Sequence, residues 1–178
     1  MYLKRISLVI ALIVTFSLAL PAQEHDSGKS KKPPLSPPAH TETTINGKKL
    51  SIDYSAPSMR GRKIMGGLGP FGQVWRTGAN AATTLKTETD LLIGGQKVPA
   101  GTYTIYSLPG EKDWQLIINK QTSQWGTEYH QEQDLVRVPL KKEATAAPVE
   151  TFKITLSPTS LVMEWENTKL STDLKAAK

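Results

Sequence analysis

The sequence predicts an all-β protein: a single-domain antiparallel β-sandwich or barrel-like fold with a long glycine-rich loop. Apolar and polar residues alternate along most of the chain, which is the period of a strand with one buried face. Turn-forming residues separate these runs at short intervals, and no stretch of a dozen residues keeps a helical period. Together these observations predict about nine or ten short strands.

The N-terminus has the composition of a secretory signal peptide. Lys4 and Arg5 precede an uncharged apolar run over residues 6–20, and Ala22 offers a small residue for cleavage. The run is shorter than the about 20 residues of a membrane-spanning helix, although an uncleaved N-terminal anchor is the alternative interpretation. We therefore expect a signal peptide over residues 1–22, a periplasmic or extracellular location, and no membrane span after cleavage.

The chain that follows divides into a linker and one domain. Residues 23–38 are rich in proline and lysine and almost free of apolar side chains, so we expect a disordered linker there. Residues 39–175 are sufficient for a single β domain. The absence of cysteine excludes disulfides and thiolate chemistry, and the formal net charge of +6 is compatible with anionic partners. Nucleic acid is not expected as a partner of an exported protein.

Glycine turns indicate two hairpins within the domain. Asn46-Gly47 and Gly94-Gly95 each lie between two β-rich runs, and such pairs favour tight hairpin turns. The run at residues 114–120 is apolar on both faces, which is typical of a central strand. Four short strands are expected toward the C-terminus, with turns at residues 157–160 and at Asn167.

The stretch GGLGPFG, residues 66–72, formally matches the G-x-G-x-x-G string of dinucleotide-binding folds. That fingerprint needs a strand before it and a helix after it, whereas a β-rich run follows here. No cofactor is therefore predicted, and the glycines are interpreted as a tight surface loop. We expect Leu68 and Phe71 to be buried beneath this loop, keeping it ordered and preorganising the flanking Lys63 and Arg76.

The first candidate site lies in residues 54–87, which contain basic side chains but no Asp or Glu. Guanidinium groups and glycine N–H groups together suit an anion, and a tryptophan adds a stacking face. The candidate ligand-binding residues are Arg60, Arg62, Lys63, Trp75, Arg76 and Asn80. The alternative is a structural loop whose arginines bond carbonyls and carboxylates of neighbouring strands, with Asp53, Asp134 and Glu164 as the natural partners. For Asn80 the structural role of a turn former is favoured.

The second candidate is a cluster of acidic side chains around one histidine. Glu128, His130, Glu132 and Asp134 occupy alternate positions, so on an extended chain they would share one face and form a metal or acid–base cluster. The alternative is an exposed polar loop, because the intervening residues are polar as well. No catalytic residue and no metal site are predicted on this pattern.

The tryptophans divide between core and surface. Trp114 and Trp165 lie in apolar runs and are expected in the core, whereas Trp125 follows a strand and is the better surface candidate. For Trp75 the sequence does not decide between a core and a surface position.

Several segments resemble the family named domain of unknown function 2911. The longest is IDYSAPSMRGRKIMGGLGPFGQVWRTGANAATTLKT, and VPAGTYTIYSLPG, WQLIINKQTSQWG and DLVRVPL follow it in order. The resemblance covers residues 41–173. It implies an exported bacterial protein with a β-rich domain, and it implies no reaction.

Three functions are compatible with these observations. The favoured hypothesis is a non-enzymatic binding domain for a small anionic or carbohydrate-like ligand, held by the basic stretch. A glycan hydrolase or lyase of the cell envelope is the first alternative, with Glu128, Glu132 and Asp134 as its acids. A structural or accessory envelope module, with a protein partner that the sequence does not specify, is the second.

Overall fold

A computed structural model describes residues 33–178 and shows one antiparallel sheet of nine strands that is not closed into a barrel. The predicted signal peptide (1–22) and most of the predicted linker lie outside the described residues. No helix in the described part is long and apolar enough to cross a membrane. A 3-10 turn spans Gln131–Gln133, and the strands are β1 (Pro38–Ile45), β2 (Lys48–Ser55), β3 (Thr84–Thr87), β4 (Leu91–Ile93), β5 (Gln96–Val98), β6 (Gly101–Leu108), β7 (Trp114–Asn119), β8 (Asp134–Leu156) and β9 (Ser160–Ala176).

The all-β prediction is confirmed, and the predicted hairpin turns are present. The strands lie in the order β1-β2-β3-β6-β7-β8-β9-β4-β5, so β7 is the central strand, as its two apolar faces indicate. Asn46 and Gly47 have φ of 51° and 74°, and Gly94 and Gly95 have φ of 53° and 83°. Positive φ at both central residues matches the twist of the flanking strands and sets the register of each hairpin.

The C-terminal part contains two long strands where four short ones were predicted. The first residues of β8 pair with β7, and the rest of β8 pairs with β9. The register of β8 against β9 shifts between Ala144 and Lys153, and Glu166 has a φ of 54°, so the ladder is irregular where a turn was predicted at Asn167. Such irregularities bend a strand without ending it.

A single apolar cluster fills the space enclosed by the bent sheet. Strands from both ends of the sheet order contribute to it, so residues 33–178 share one core. The most buried side chains from across the sheet include Ile52, Leu85, Ile105, Leu116, Leu161 and Leu174. The alternate face of β6 is also covered, because Thr104 and Tyr106 are buried beneath the chain between β7 and β8.

The glycine-rich loop between β2 and β3 is anchored differently from the sequence expectation. Leu68 is 55% exposed and Phe71 is 37% exposed, so neither is buried beneath the loop. Ile64, just before the glycines, is 1% exposed instead. The backbone N–H of Met65 donates to the Glu166 carboxylate at 2.9 Å, which ties the loop to β9. Buried Ile64 and the Glu166 carboxylate therefore both contribute to holding the loop, whose tip stays at the surface.

Candidate functional site

A cavity of about 380 Å³, called here the outer cavity, opens where the glycine-rich loop meets the chain between β7 and β8. Three of the six predicted binding residues line it: Arg62, Trp75 and Arg76. The remaining lining residues are Pro57, Leu68, Val74, Gly78, Ala79, Tyr106, Gly126, Thr127, Tyr129 and Trp165. No Asp or Glu of the described residues is among them.

Trp75 forms a fixed wall of the outer cavity. Its backbone exchanges two hydrogen bonds of 2.8 Å with Ser107, so this part of the loop runs beside the end of β6 like an added strand. Its ring stacks on Trp165, with the centroids 5.5 Å apart and the planes at 22°. Phe152 packs against it edge-on at 5.0 Å. This packing holds the indole in one orientation.

The backbone that follows Arg76 is strained and tightly held. Thr77 has a φ of 51°, a conformation that is costly for a β-branched residue. Its hydroxyl shares a hydrogen bond of 2.5 Å with Ser107, and the hydroxyl of Thr83 donates to its carbonyl at 2.8 Å. All three side chains are buried. The surrounding structure thus fixes the position from which Arg76 projects.

Arg76 is a partly buried side chain packed against Gly126. A Cβ at Gly126 would lie 2.6 Å from Arg76 Cδ and 2.7 Å from the carbonyl oxygen of Asn80, so only glycine admits the arginine stem there. Among the ion pairs and hydrogen bonds of residues 33–178, none involves the Arg76 guanidinium. The arginine stem is therefore packed by the protein, while its guanidinium has no partner among the described residues.

Arg62 is exposed and reaches the outer cavity from the chain after β2. That chain pairs with β8 through a bridge between Ser58 and Thr151. Arg62 Nε donates to the carbonyl of Met59 at 2.9 Å, and its Nη2 donates to the carbonyl of Ser58 at 2.8 Å. These two bonds orient the guanidinium as the structural interpretation expects, and they involve carbonyl groups, so they do not neutralise its charge.

Two tyrosines, Tyr106 and Tyr129, also line the outer cavity. Tyr129 donates to Asp134 Oδ2 at 2.7 Å and accepts from Arg137 Nη2 at 2.9 Å. Its ring meets Tyr106 edge-on, with the centroids 4.9 Å apart. Burial, followed by the hydrogen bond to Asp134, raises the pKa of Tyr129 to about 12. The hydroxyl of Tyr129 therefore stays protonated as a donor to Asp134 at any physiological pH.

The other three predicted binding residues lie outside the lining of the outer cavity. Arg60 is exposed, and its Nη2 donates to the carbonyl of Leu35. Lys63 is exposed at the base of the glycine-rich loop. Asn80 has a φ of 58°, and its carbonyl accepts from the N–H of Gly126 at 3.0 Å. Its place at a turn agrees with the structural role that the sequence favoured.

The structure does not bring the acidic cluster together. Residues 131–133 form a 3-10 turn, so the extended chain that would align Glu128, His130, Glu132 and Asp134 is not present. Asp134 is engaged by Arg137, while His130 and Glu132 form an exposed pair at 3.3 Å. No group of three or more His, Asp or Glu side chains in the described residues is placed to hold a metal ion.

A smaller space, called here the inner cavity, lies beneath the glycine-rich loop. Its volume is about 20 Å³, and it shares Leu68, Trp75 and Trp165 with the outer cavity. Trp114 also lines it, and the buried indole N–H of that residue has no acceptor in the described part of the chain. Trp165, predicted as a core residue, is 3% exposed and still contributes to both cavities.

Sequence comparison assigns most of the chain to one family. The family model described as "Protein of unknown function (DUF2911)" matches residues 36–174. This range begins two residues before β1 and ends within β9. No curated protein and no solved structure matches the chain.

Proposed function

Because this chain belongs to the DUF2911 family, whose function is unknown, we propose a function from its geometry: an exported, non-enzymatic domain that binds a small anion in the outer cavity. The observation that carries the proposal is the Arg76 side chain, whose stem is packed against Gly126 while its guanidinium, at the outer cavity, has no partner among the described residues. A guanidinium that is held by its stem and has unused N–H donors can bind an anion through charge-assisted hydrogen bonds.

The second arginine supports the same conclusion. Arg62 and Arg76 both line the outer cavity, and no carboxylate of the described residues lines it with them. Guanidinium groups bind carboxylate, sulfate and phosphate through paired N–H donors, and these bonds are stronger than neutral ones. The packing at Gly126 and the backbone bonds of Arg62 hold both side chains before any ligand arrives, which lowers the entropic cost of binding.

The size and walls of the outer cavity suit a small organic molecule. A volume of about 380 Å³ falls within the range of small-molecule sites. The stacked pair Trp75–Trp165 offers a flat face for the body of the ligand. A glycan hydrolase is not supported, because the acids proposed for it do not line this cavity in the described structure.

Calorimetric titration with charge-matched pairs tests the proposal. Each anion is compared with a neutral molecule of the same shape, benzoate with benzamide and galacturonate with galactose. We expect at least one anion to bind about tenfold or more tightly than its neutral partner. Arg76→Gln should weaken that binding about 10- to 100-fold, the effect of losing a charge-assisted hydrogen bond. Arg60→Gln, a matched change outside the outer cavity, should alter it less than about twofold.

Two results would contradict the proposal. One is equal binding, or no binding, of the charged and neutral members of both pairs. The other is the same loss of affinity in Arg60→Gln and Arg76→Gln, which would indicate a general effect of net charge.

A further inference from the structure

We propose that the ligand of the outer cavity is an organic anion with an apolar aromatic or aliphatic body, and not a hydroxylated sugar acid. This inference rests on the proposed anion site and narrows its ligand class. Two observations support it. The tyrosine hydroxyls of the outer cavity are already hydrogen-bonded within the protein, and an apolar space, the inner cavity, adjoins the outer one.

The tyrosine hydroxyls of the wall are engaged by the protein itself. Tyr106 donates to the carbonyl of Glu128 at 2.7 Å and accepts from Gln124 Nε2 at 3.1 Å. The hydroxyl of Tyr129 is bound between Asp134 and Arg137 in the same way. Each hydroxyl has its one donor and one acceptor function used, so neither is free for a ligand without breaking a bond to the protein.

The rest of the side chains at the wall offer little to a sugar. Besides the two arginines, the two engaged tyrosine hydroxyls and the indole N–H groups of the tryptophans, Thr127 supplies the one remaining polar side chain among the described lining residues. A sugar ring carries several hydroxyls, and each one buried without a partner weakens binding strongly. Sugar sites accordingly need acceptor side chains, and no Asp, Glu, Asn or Gln of the described residues lines this cavity. The wall therefore discriminates against a hydroxylated body.

The remaining surface is apolar, and it continues inward. Trp75, Trp165 and Leu68 line both the outer and the inner cavity. The two tryptophans are fixed by stacking, whereas Leu68 is 55% exposed and belongs to the surface tip of the loop. Moving Leu68 costs little buried area, and it would join the inner cavity to the outer one. An anion bound at Arg62 and Arg76 would thus place an apolar body against the tryptophans, with Leu68 limiting its size.

Three probes of related shape separate this inference from the proposal it rests on. Calorimetry with the full chain compares benzoate, galacturonate and benzyl alcohol. We expect benzoate to bind about tenfold or more tightly than either of the others, since only benzoate combines the charge with an apolar ring. If galacturonate bound as tightly as benzoate, the inference of an apolar ligand would be overturned, whereas the proposed anion site would not. Benzyl alcohol binding as tightly as benzoate would overturn the anion site itself.

The role of Leu68 has a separate test with a matched control. Leu68→Ala should raise the affinity for 2-naphthoate relative to benzoate about five- to tenfold, because the larger ring gains room toward the inner cavity. Leu35→Ala makes the same substitution at a residue that is 72% exposed and lines neither cavity, so its affinity ratio should stay that of the unmodified chain. An unchanged ratio in Leu68→Ala, or an equal change in both variants, would overturn the assignment of Leu68.

Discussion

Tyr129 illustrates how one side chain of the cavity wall is preorganised. Its hydroxyl lies between the Asp134 carboxylate and the Arg137 guanidinium, and Arg137 also donates to Asp134 at 2.9 Å. Asn119 on β7 donates to the other carboxylate oxygen of Asp134 at 3.0 Å. This network joins β7, β8 and the chain between them. The network therefore holds the Tyr129 ring in one orientation within the protein itself.

The pKa of Tyr129 predicts how stability falls in alkali. It is about 12 in the folded chain, against an ordinary value of 10.0. The folded state keeps the proton between these pH values, whereas the unfolded state releases it. The contribution of Tyr129 to the free energy of unfolding is thus complete below pH 10 and is lost as the pH rises to about 12. Denaturant unfolding measured across this range should show that the free energy of unfolding falls less steeply with pH for Tyr129→Phe than for the unmodified chain.

The comparison isolates Tyr129, because the other tyrosines with raised pKa values, Tyr103 and Tyr106, are present in both proteins. The variant should also be about 1 kcal/mol less stable at neutral pH, since Asp134 and Arg137 each lose a hydrogen-bond partner. If the free energy of unfolding fell equally steeply with pH in the two proteins, the pKa of Tyr129 would not be raised in the folded chain.

The residues lining the outer cavity that the sequence could indicate are those that are close to one another in the chain. Arg62, Trp75 and Arg76 belong to one acid-free stretch, so composition alone singles them out. Tyr106 and Tyr129 reach the outer cavity from β6 and from the chain before β8. Their approach depends on how β6, β7 and β8 pair, which no local pattern encodes.

The glycine-rich loop is the element whose anchoring matters most for the cavity. Glu166 on β9 accepts from the N–H groups of Met65 at 2.9 Å and Ile64 at 3.5 Å. The loop tip is further closed by short backbone bonds, including Gly69 N–H to the carbonyl of Ile64 at 2.9 Å. Loss of the carboxylate should free the loop without disturbing the central strands.

Hydrogen exchange of Glu166→Ala tests this anchoring. We expect the amides of Met65 and Gly69 to exchange about fivefold faster, which corresponds to about 1 kcal/mol of local stability, while the amides of β7 keep their protection. Glu164→Ala is the matched control, because Glu164 lies on the same strand and has no ion pair among the described residues. Equal exchange of the loop amides in all three proteins would mean that the Glu166 carboxylate does not anchor the loop.

The long strands β8 and β9 explain why the C-terminal prediction failed. Residues 144–148 have the sequence ATAAP, which is poor in β-branched and aromatic residues, and Asn167 is a common turn former. Taken by themselves, both features indicate that a strand ends there. In the structure they coincide with register shifts and with the positive φ of Glu166, so the strands continue through them. Pairing with neighbours on the sheet overrides the weak local propensity.

At the scale of the whole molecule, alternation and turn chemistry were enough to predict the fold class. The two glycine hairpins and the central position of β7 follow from local sequence, because their signals are carried by adjacent residues. The order of the nine strands could not be predicted, since it depends on which distant edges pair. The outer cavity is a product of that order: β6, the glycine-rich loop and the chain before β8 meet there, although they are far apart in sequence.

Nuclear magnetic resonance of the arginine side chains during a benzoate titration can show which guanidinium groups an anion contacts. The Nε–H signals, assigned by single Arg→Gln variants, report on each guanidinium separately. The account predicts saturable shifts at Arg62 and Arg76, with Arg60 and Arg137 unchanged because the first lies outside the outer cavity and the second is paired with Asp134. Saturable shifts at Arg60 without shifts at Arg76, or equal weak shifts at all four arginines, would contradict an anion site in the outer cavity.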